Sequence, residues 1–434
     1  MTSTLSETAA AAAAAAASEA AAGTRAPETS VPETSTPETS GRARARPHIV
    51  AFDLIRLIIM VFVVGVHTLA FAGGPVTVVL GAVTTVFHTS RELFIMLTAL
   101  VLTYNYGHRP RLRLLRFWRR RYWLVLPAYV TWSAIYYAFD GPGRGRFPAA
   151  FLHDLETADA RYHLYFLLVS MQMYLLFPVF RWVLRKTEGY HLWLLAAACG
   201  YQVWLTCALH YHVGLIAALG PWLNGAGQGY WLESYVLYVV AGAMAGWHFE
   251  RLCAVTRRLA GSVRRITLLA ALGVAAGIGV YLAEIYAFGA TSANASAVFQ
   301  PVVVIEAIAF GLALLAGGLL WSDRGAVGRK FCAAGSASSF GIYLAHPLVL
   351  QGLLAVTGAG VTGGVLAGGL LAAVQHLPSG LEVLVLLFVA VPLVYSVAWV
   401  MSSAARRTPA SLLLTGREYT PKKEAGARAP AEAA

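Results

Sequence analysis

Along the chain, runs of about twenty apolar residues alternate with short polar connections, most of them basic. A helix needs about 20 apolar residues to cross a bilayer. Stretches of that length lie near 49–72, 85–106, 122–139, 163–184, 190–210, 231–249, 266–288, 298–321, 336–357 and 381–403. The pattern predicts an all-α fold, a polytopic membrane helix bundle of about ten transmembrane helices. Two stretches fit less well. The second span is broken by Arg91 and Glu92, and the Gly-rich run GVTGGVLAGGLLAAVQHL between the last two spans reads as re-entrant or interfacial.

Basic residues orient the bundle, because short cytoplasmic loops collect Lys and Arg. All 33 fall on one side except Arg144, Arg146 and Arg161 on the other and Arg56 and Arg91 within spans. Both termini are therefore expected in the cytoplasm, and the chain is expected in the plasma membrane as a multi-pass protein. Composition agrees: 58% of residues are hydrophobic, only 12% are charged and the mean hydropathy is +0.62, whereas soluble domains carry about 25% charged residues. The net charge of +12 then reflects topology and attraction to anionic headgroups, and no nucleic-acid partner is expected. Cys199, Cys207, Cys253 and Cys332 show no CxxC spacing and read as packing residues, so neither a disulfide framework nor a metal site is expected.

Residues 1–46 differ from the rest: an alanine run, the tandem units APETS, VPETS and TPETS, then GRARAR. Such a composition cannot bury a core and reads as a disordered low-complexity cytoplasmic tail. Residues 47–404 read as the membrane domain and 405–434 as a short basic cytoplasmic tail. Any chemistry is expected within the membrane part.

The first span, AFDLIRLIIMVFVVGVHTLAF, carries Arg56 and His67. Ionisable groups cost roughly 2.5 kcal/mol or more each in a bilayer, so they face a protein interior or a wet cavity. Eleven steps at about 100° bring both onto one helix face, about 16 Å apart along the axis. His67 is the leading catalytic candidate, because an imidazole with an ordinary pKa near 6.5 takes a proton from a hydroxyl or returns one to a thiolate at neutral pH; the bland alternative is a neutral core histidine. For Arg56 two readings stand: an anion-binding fork for phosphate or carboxylate, or a pair with Asp53 or Glu92. Glu92 either orients His67, acts as a base, or closes an ion pair with Arg56 or Arg91.

The loop HRPRLRLLRFWRRRYWLVLP holds seven arginines, and its last four, Arg116, Arg119, Arg120 and Arg121, run into a helix start. They serve as positive-inside signal, and a cluster facing the cytoplasm also suits the phosphates of a nucleotide carrier such as coenzyme A. No Walker or GxGxxG loop accompanies it. In HLYFLLVSMQMYLLFP, Gln172 and Tyr174, and in SASSFGIYLAHPLVLQ, Tyr343 and His346, are either substrate contacts or interhelical hydrogen-bond formers.

Taken in order, these segments resemble the acyltransferase 3 family of integral-membrane acyltransferases, whose first span carries Arg or Lys, ten residues, then His. LFIMLTALVLT is similar to that family's LFFxLSGFLIT, with Thr98 and Ala99 in place of its Ser and Gly; FWRRRYWLVLPAYV, HLYFLLVSMQMYLLFP and SSFGIYLAHPLVL are similar to its later motifs. The resemblance spans about residues 48–404. It implies transfer of an acyl group, often acetyl, from a cytoplasmic acyl-CoA to a hydroxyl of an envelope glycan, glycolipid or glycosylated small product, with acyl-CoA as a donor substrate and no permanently bound cofactor. The expected roles are His67 and Glu92 catalytic, Arg56, Arg116, Arg119, Arg120 and Arg121 on the donor, and Gln172, Tyr174 and His346 on substrate. A carrier or flippase lined by the same polar stripe is the competing class.

Overall fold

The computed structural model describes residues 48–139, 149–211, 229–259, 262–358 and 374–419. The 1–46 tail, Arg144 and Arg146, most of the Gly-rich run and the last fifteen residues lie outside the described residues. The described chain is helical and without strands. Its helices are α1 (Ala51–Ala72), α2 (Val78–His88), α3 (Ser90–Tyr106), α4 (Leu114–Phe139), α5 (Ala149–Thr157), α6 (Tyr165–Lys186), α7 (His191–His210), α8 (Val236–Trp247), α9 (Phe249–Leu259), α10 (Val263–Tyr286), α11 (Ser292–Ala295), α12 (Val303–Asp323), α13 (Arg329–Gly358), α14 (Ser379–Val385), α15 (Val391–Ala405) and α16 (Ser411–Thr415).

Each of the ten apolar stretches falls on a helix, and eight helices among the described residues are long and apolar enough to cross a membrane. The other two stretches are α4, with its arginine- and aromatic-rich sequence, and α8, whose 12 residues cover only about 18 Å. Helix α8 is walled in by protein. Gly242 and Gly246 lie against the backbone of α3, where an added Cβ would fall 2.1 Å from the Met96 carbonyl oxygen and 2.3 Å from that of Leu100.

The second span begins earlier than expected, at Val78, and runs to Tyr106 with a break at Thr89. Thr77 caps its start by accepting from the Leu80 amide at 3.2 Å, and Arg91 and Glu92 are accommodated by pairing with each other at 2.7 Å. In the last span a π turn at Leu386–Ala390 joins α14 to α15 just before Pro392, where the missing proline N–H interrupts the ordinary helical ladder.

Polarity is arranged inside out. Trp182, Trp193, Leu272, Phe388 and Val400 are exposed, whereas Glu92, Glu284, Glu306, His163 and His346 are buried. The folded region also extends past residue 404. Helix α16 is held by the Trp132 indole, which donates to the Leu414 carbonyl at 3.1 Å, and Tyr136 on α4 donates to the Leu344 carbonyl on α13 at 2.7 Å.

Candidate active site

Two cavities meet inside the bundle. The larger, of about 1540 Å³, is a vestibule at the end of the bundle that carries the basic loops. Arg56, Arg116, Arg119, Arg120, Arg406, Arg407 and Arg417 line it, together with Tyr174 and the hydroxyls of Ser336, Ser338 and Ser339. Seven guanidinium groups face one acidic side chain, Glu418, a setting that attracts a polyanion. Arg56 donates to the Ser336 hydroxyl at 3.1 Å and Arg406 to that of Ser338 at 3.3 Å. Neither carboxylate considered for Arg56 is bound to it: Asp53 takes His48 at 2.8 Å and Glu92 takes Arg91. Burial, with Arg406 and Arg56 close by, pushes the Arg417 guanidinium down to about 10; it is still charged at neutral pH.

The smaller cavity, of about 320 Å³, is a chamber lined by His67, His88, Arg91, Tyr162, His163 and the apolar side chains of Val63, Val66, Ala70 and Phe71, among others. Phe94, Phe166 and Tyr343 line both cavities. Their rings stand near one another, Phe94 edge-on to Phe166 at 5.2 Å between centroids and Phe166 at 6.2 Å from Tyr343. Vestibule and chamber are thus neighbours across three aromatic side chains, with Arg56 on one side and His67 on the other of a single continuous helix.

His67, His88 and His163 line the chamber, and His346 packs against His67 from outside that lining. The His67 ring lies 5.3 Å from that of His346, nearly parallel, and 4.8 Å from Tyr162; His346 lies 5.3 Å from His163. The fully buried His346 points Nδ1 at the Tyr343 carbonyl, 2.7 Å away. A carbonyl only accepts, so Nδ1 carries the proton and Nε2 presents a lone pair. That Nε2 meets no hydrogen-bond partner among the described residues. Tyr343 ties α13 to the chain before α6 by donating from its hydroxyl to the His163 backbone carbonyl.

The remaining expected residues fall elsewhere. Glu92 lies outside the chamber lining, beneath Arg91, and among the described residues no carboxylate is within ion-pair distance of His67. Arg121 lies outside the vestibule lining, with its guanidinium over the rings of Tyr106, Phe117 and Tyr174. Gln172 spends both ends of its amide on the chain before α8, donating to the Tyr230 carbonyl at 2.7 Å and accepting from the Leu232 amide at 3.0 Å. Residues not singled out from the sequence also join the cavities: Tyr162, the serines of α13 and the arginines after α15. A basic residue beyond the last span carries the same sequence signal as any topological lysine or arginine. Only the return of α16 beneath α4 distinguishes Arg417.

The arrangement sets an arginine-lined vestibule, three shared aromatic side chains and a largely apolar chamber holding His67 in succession. Such a set suits a donor with phosphates at one end and a reactive acyl group on a long arm at the other. A family model described as an acyltransferase domain matches residues 49–402. No curated protein and no solved structure matches the chain.

Proposed function

The chain belongs to this acyltransferase 3 family and is a membrane acyltransferase, and from that premise we propose that it moves a short acyl group, acetyl foremost, from cytoplasmic acyl-CoA to a hydroxyl of an envelope glycan, glycolipid or glycosylated small product in the plasma membrane. The observation that carries this reading is the contact of vestibule and chamber across Phe94, Phe166 and Tyr343, with Arg56 lining one and His67 the other along α1, which supports a phosphate site in the first and a base in the second.

In this reading the vestibule arginines hold the donor phosphates through charge-assisted hydrogen bonds, and Arg56 takes the anionic part nearest the bundle interior. The pantetheine arm passes the three rings and presents its thioester to the chamber. The acceptor oxygen attacks the thioester carbonyl carbon while His67 takes the hydroxyl proton. The carbon–sulfur bond then breaks, the thiolate recovers that proton from His67, and the products are the acyl ester and free coenzyme A. Arg91 is the one cationic side chain lining the chamber among the described residues, and it faces the negative charge that develops on the carbonyl oxygen. Glu92 acts through Arg91 as its counter-charge, which supersedes a direct role on His67. His346 packs against the His67 ring and His163 packs against His346 in turn.

Purified protein incubated with radiolabelled acetyl-CoA and membrane extract tests the reading. Covalently labelled acceptor with stoichiometric free coenzyme A supports it; intact acetyl-CoA in the presence of every extract fraction refutes it.

A further inference from the structure

A third cavity, of about 710 Å³, opens at the end of the bundle opposite the arginine vestibule, lined by His210 and Tyr211 after α7, Glu284 and Phe288 at the end of α10, and Asn294, Ala297, Val298 and Phe299. It adjoins the His67 chamber. Val298 lines both, its carbonyl accepts from Arg91 at 3.4 Å, and the Arg91 guanidinium also lies 4.9 Å from the Phe299 ring. The three cavities therefore follow one another through the molecule, and Val298 is the partition between the second and third.

The chemistry of this outer cavity differs from that of the vestibule. Its charged anchor is a carboxylate. Glu284 is only 5% exposed, and its Oε1 accepts from the Tyr211 hydroxyl at 2.7 Å and from the Gln300 amide at 2.8 Å. Among the described residues its Oε2 meets only His210 Nε2, at 3.0 Å, a nitrogen that also lies 3.2 Å from Oε1. A carboxylate oxygen accepts about two hydrogen bonds, so Oε2 retains capacity for a ligand hydroxyl. Asn294 adds an exposed amide, and Phe288 and Tyr211 are exposed aromatic side chains, 82% and 54% accessible. A fixed acceptor, an amide and aromatic faces around an open cavity match a ligand with hydroxyls on its edge and C–H groups on its face. The basic-poor side of the membrane presents this opening, whereas the donor site faces the basic side.

We propose that this outer cavity is the acceptor subsite, which binds a polyhydroxylated, sugar-like acceptor through Glu284 and Asn294 and delivers its hydroxyl past Val298 to the chamber. The proposal rests on the acyl-transfer reading above and adds to it the acceptor's binding residues and its direction of approach. The donor and acceptor then enter from opposite faces and meet at His67. The same hydrogen bonds tie α7 to α10, so the test separates binding from fastening.

Detergent-purified protein is assayed with acetyl-CoA and a panel of methyl glucoside, methyl galactoside and methyl rhamnoside. Expected results are a KM for the best glycoside at least tenfold higher in Glu284→Gln and at least threefold higher in Asn294→Ala, with the KM for acetyl-CoA unchanged. Val298→Trp blocks the partition and is expected to abolish glycoside acylation while acetyl-CoA binding persists. Unchanged glycoside KM in both polar variants, or a lowered melting temperature in Glu284→Gln with both KM values unchanged, overturns the proposal. Wild-type protein that releases coenzyme A into water yet acylates no glycoside overturns the sugar-like acceptor alone. Wild-type protein that leaves acetyl-CoA intact overturns the acyl-transfer reading.

Discussion

Replacing Phe166 with alanine tests whether the aromatic passage limits the acyl group. Phe166 is buried, packs edge-on against Phe94 at 5.2 Å and lines both vestibule and chamber. Its removal joins the 320 Å³ chamber to the vestibule through the volume of a phenyl ring. A methylene moved from water into an apolar site contributes about 0.8 kcal/mol, which is roughly fourfold in an equilibrium or rate constant. A hexanoyl chain carries four methylenes more than acetyl, so the hexanoyl-to-acetyl ratio of kcat/KM should rise by up to about 200-fold in Phe166→Ala if all four become accommodated. The variant also loses packing, and Phe→Ala in a core costs about 3–5 kcal/mol; Phe166→Leu, which keeps most of the volume, should retain stability and shift the ratio only slightly. The assay is coenzyme A release from acetyl-, butyryl- and hexanoyl-CoA at subsaturating donor, with melting temperature as the folding control. A folded Phe166→Ala protein whose chain-length profile coincides with the wild type would refute the idea that these rings bound the acyl group.

Other consequences follow from the same geometry. Arg119→Ala and Arg120→Ala, at exposed positions on the vestibule rim, should each raise the acyl-CoA KM only a few-fold, since screened surface charges contribute about 0–1 kcal/mol; the effect should shrink as salt is raised in the same KM assay. Arg417→Ala, also at an exposed position on the vestibule lining, should raise that KM by a similar few-fold, with the same loss of effect at high salt. Gln172→Ala should lower the melting temperature, with about 2 kcal/mol lost for its two hydrogen bonds, and leave both substrate KM values in place. Gly242→Val forces a side chain into the α3 backbone and should cost at least the 1–3 kcal/mol of ordinary overpacking, read as a lower melting temperature in detergent.

The sequence made some of this legible and hid the rest for physical reasons. Membrane helices announce themselves through length and hydropathy, so all ten apolar stretches appear as helices. The coincidence of Arg56 and His67 on one face follows from helical periodicity within a single element. What hydropathy cannot report is which neighbour covers a helix: α8 is short because the glycines at 242 and 246 let it lie directly on α3, where the bilayer no longer sets its length. Contacts between distant segments were equally hidden. His163 and His346 reach His67 through the meeting of α1, the start of α6 and α13, and Ser336 reaches Arg56 across 280 residues of chain. Arg91 and Glu92 looked anomalous in an apolar span, and their mutual pairing is what makes that span tolerable. The closeness of Asp53 to Arg56 in sequence was misleading for the opposite reason, because Asp53 pairs instead with His48.

In the proposed reaction a donor held among the arginines gives up its acyl group with the help of a base at the far end of α1, and His67→Gln removes that base. The substitution removes the titratable imidazole while keeping a polar side chain of similar reach. Reconstituted His67→Gln protein should bind acetyl-CoA with wild-type affinity, because the vestibule is untouched. Transfer of labelled acetyl should fall by about 10²–10⁴-fold, the range contributed by a general base. Wild-type transfer by His67→Gln protein with intact donor binding would contradict the account.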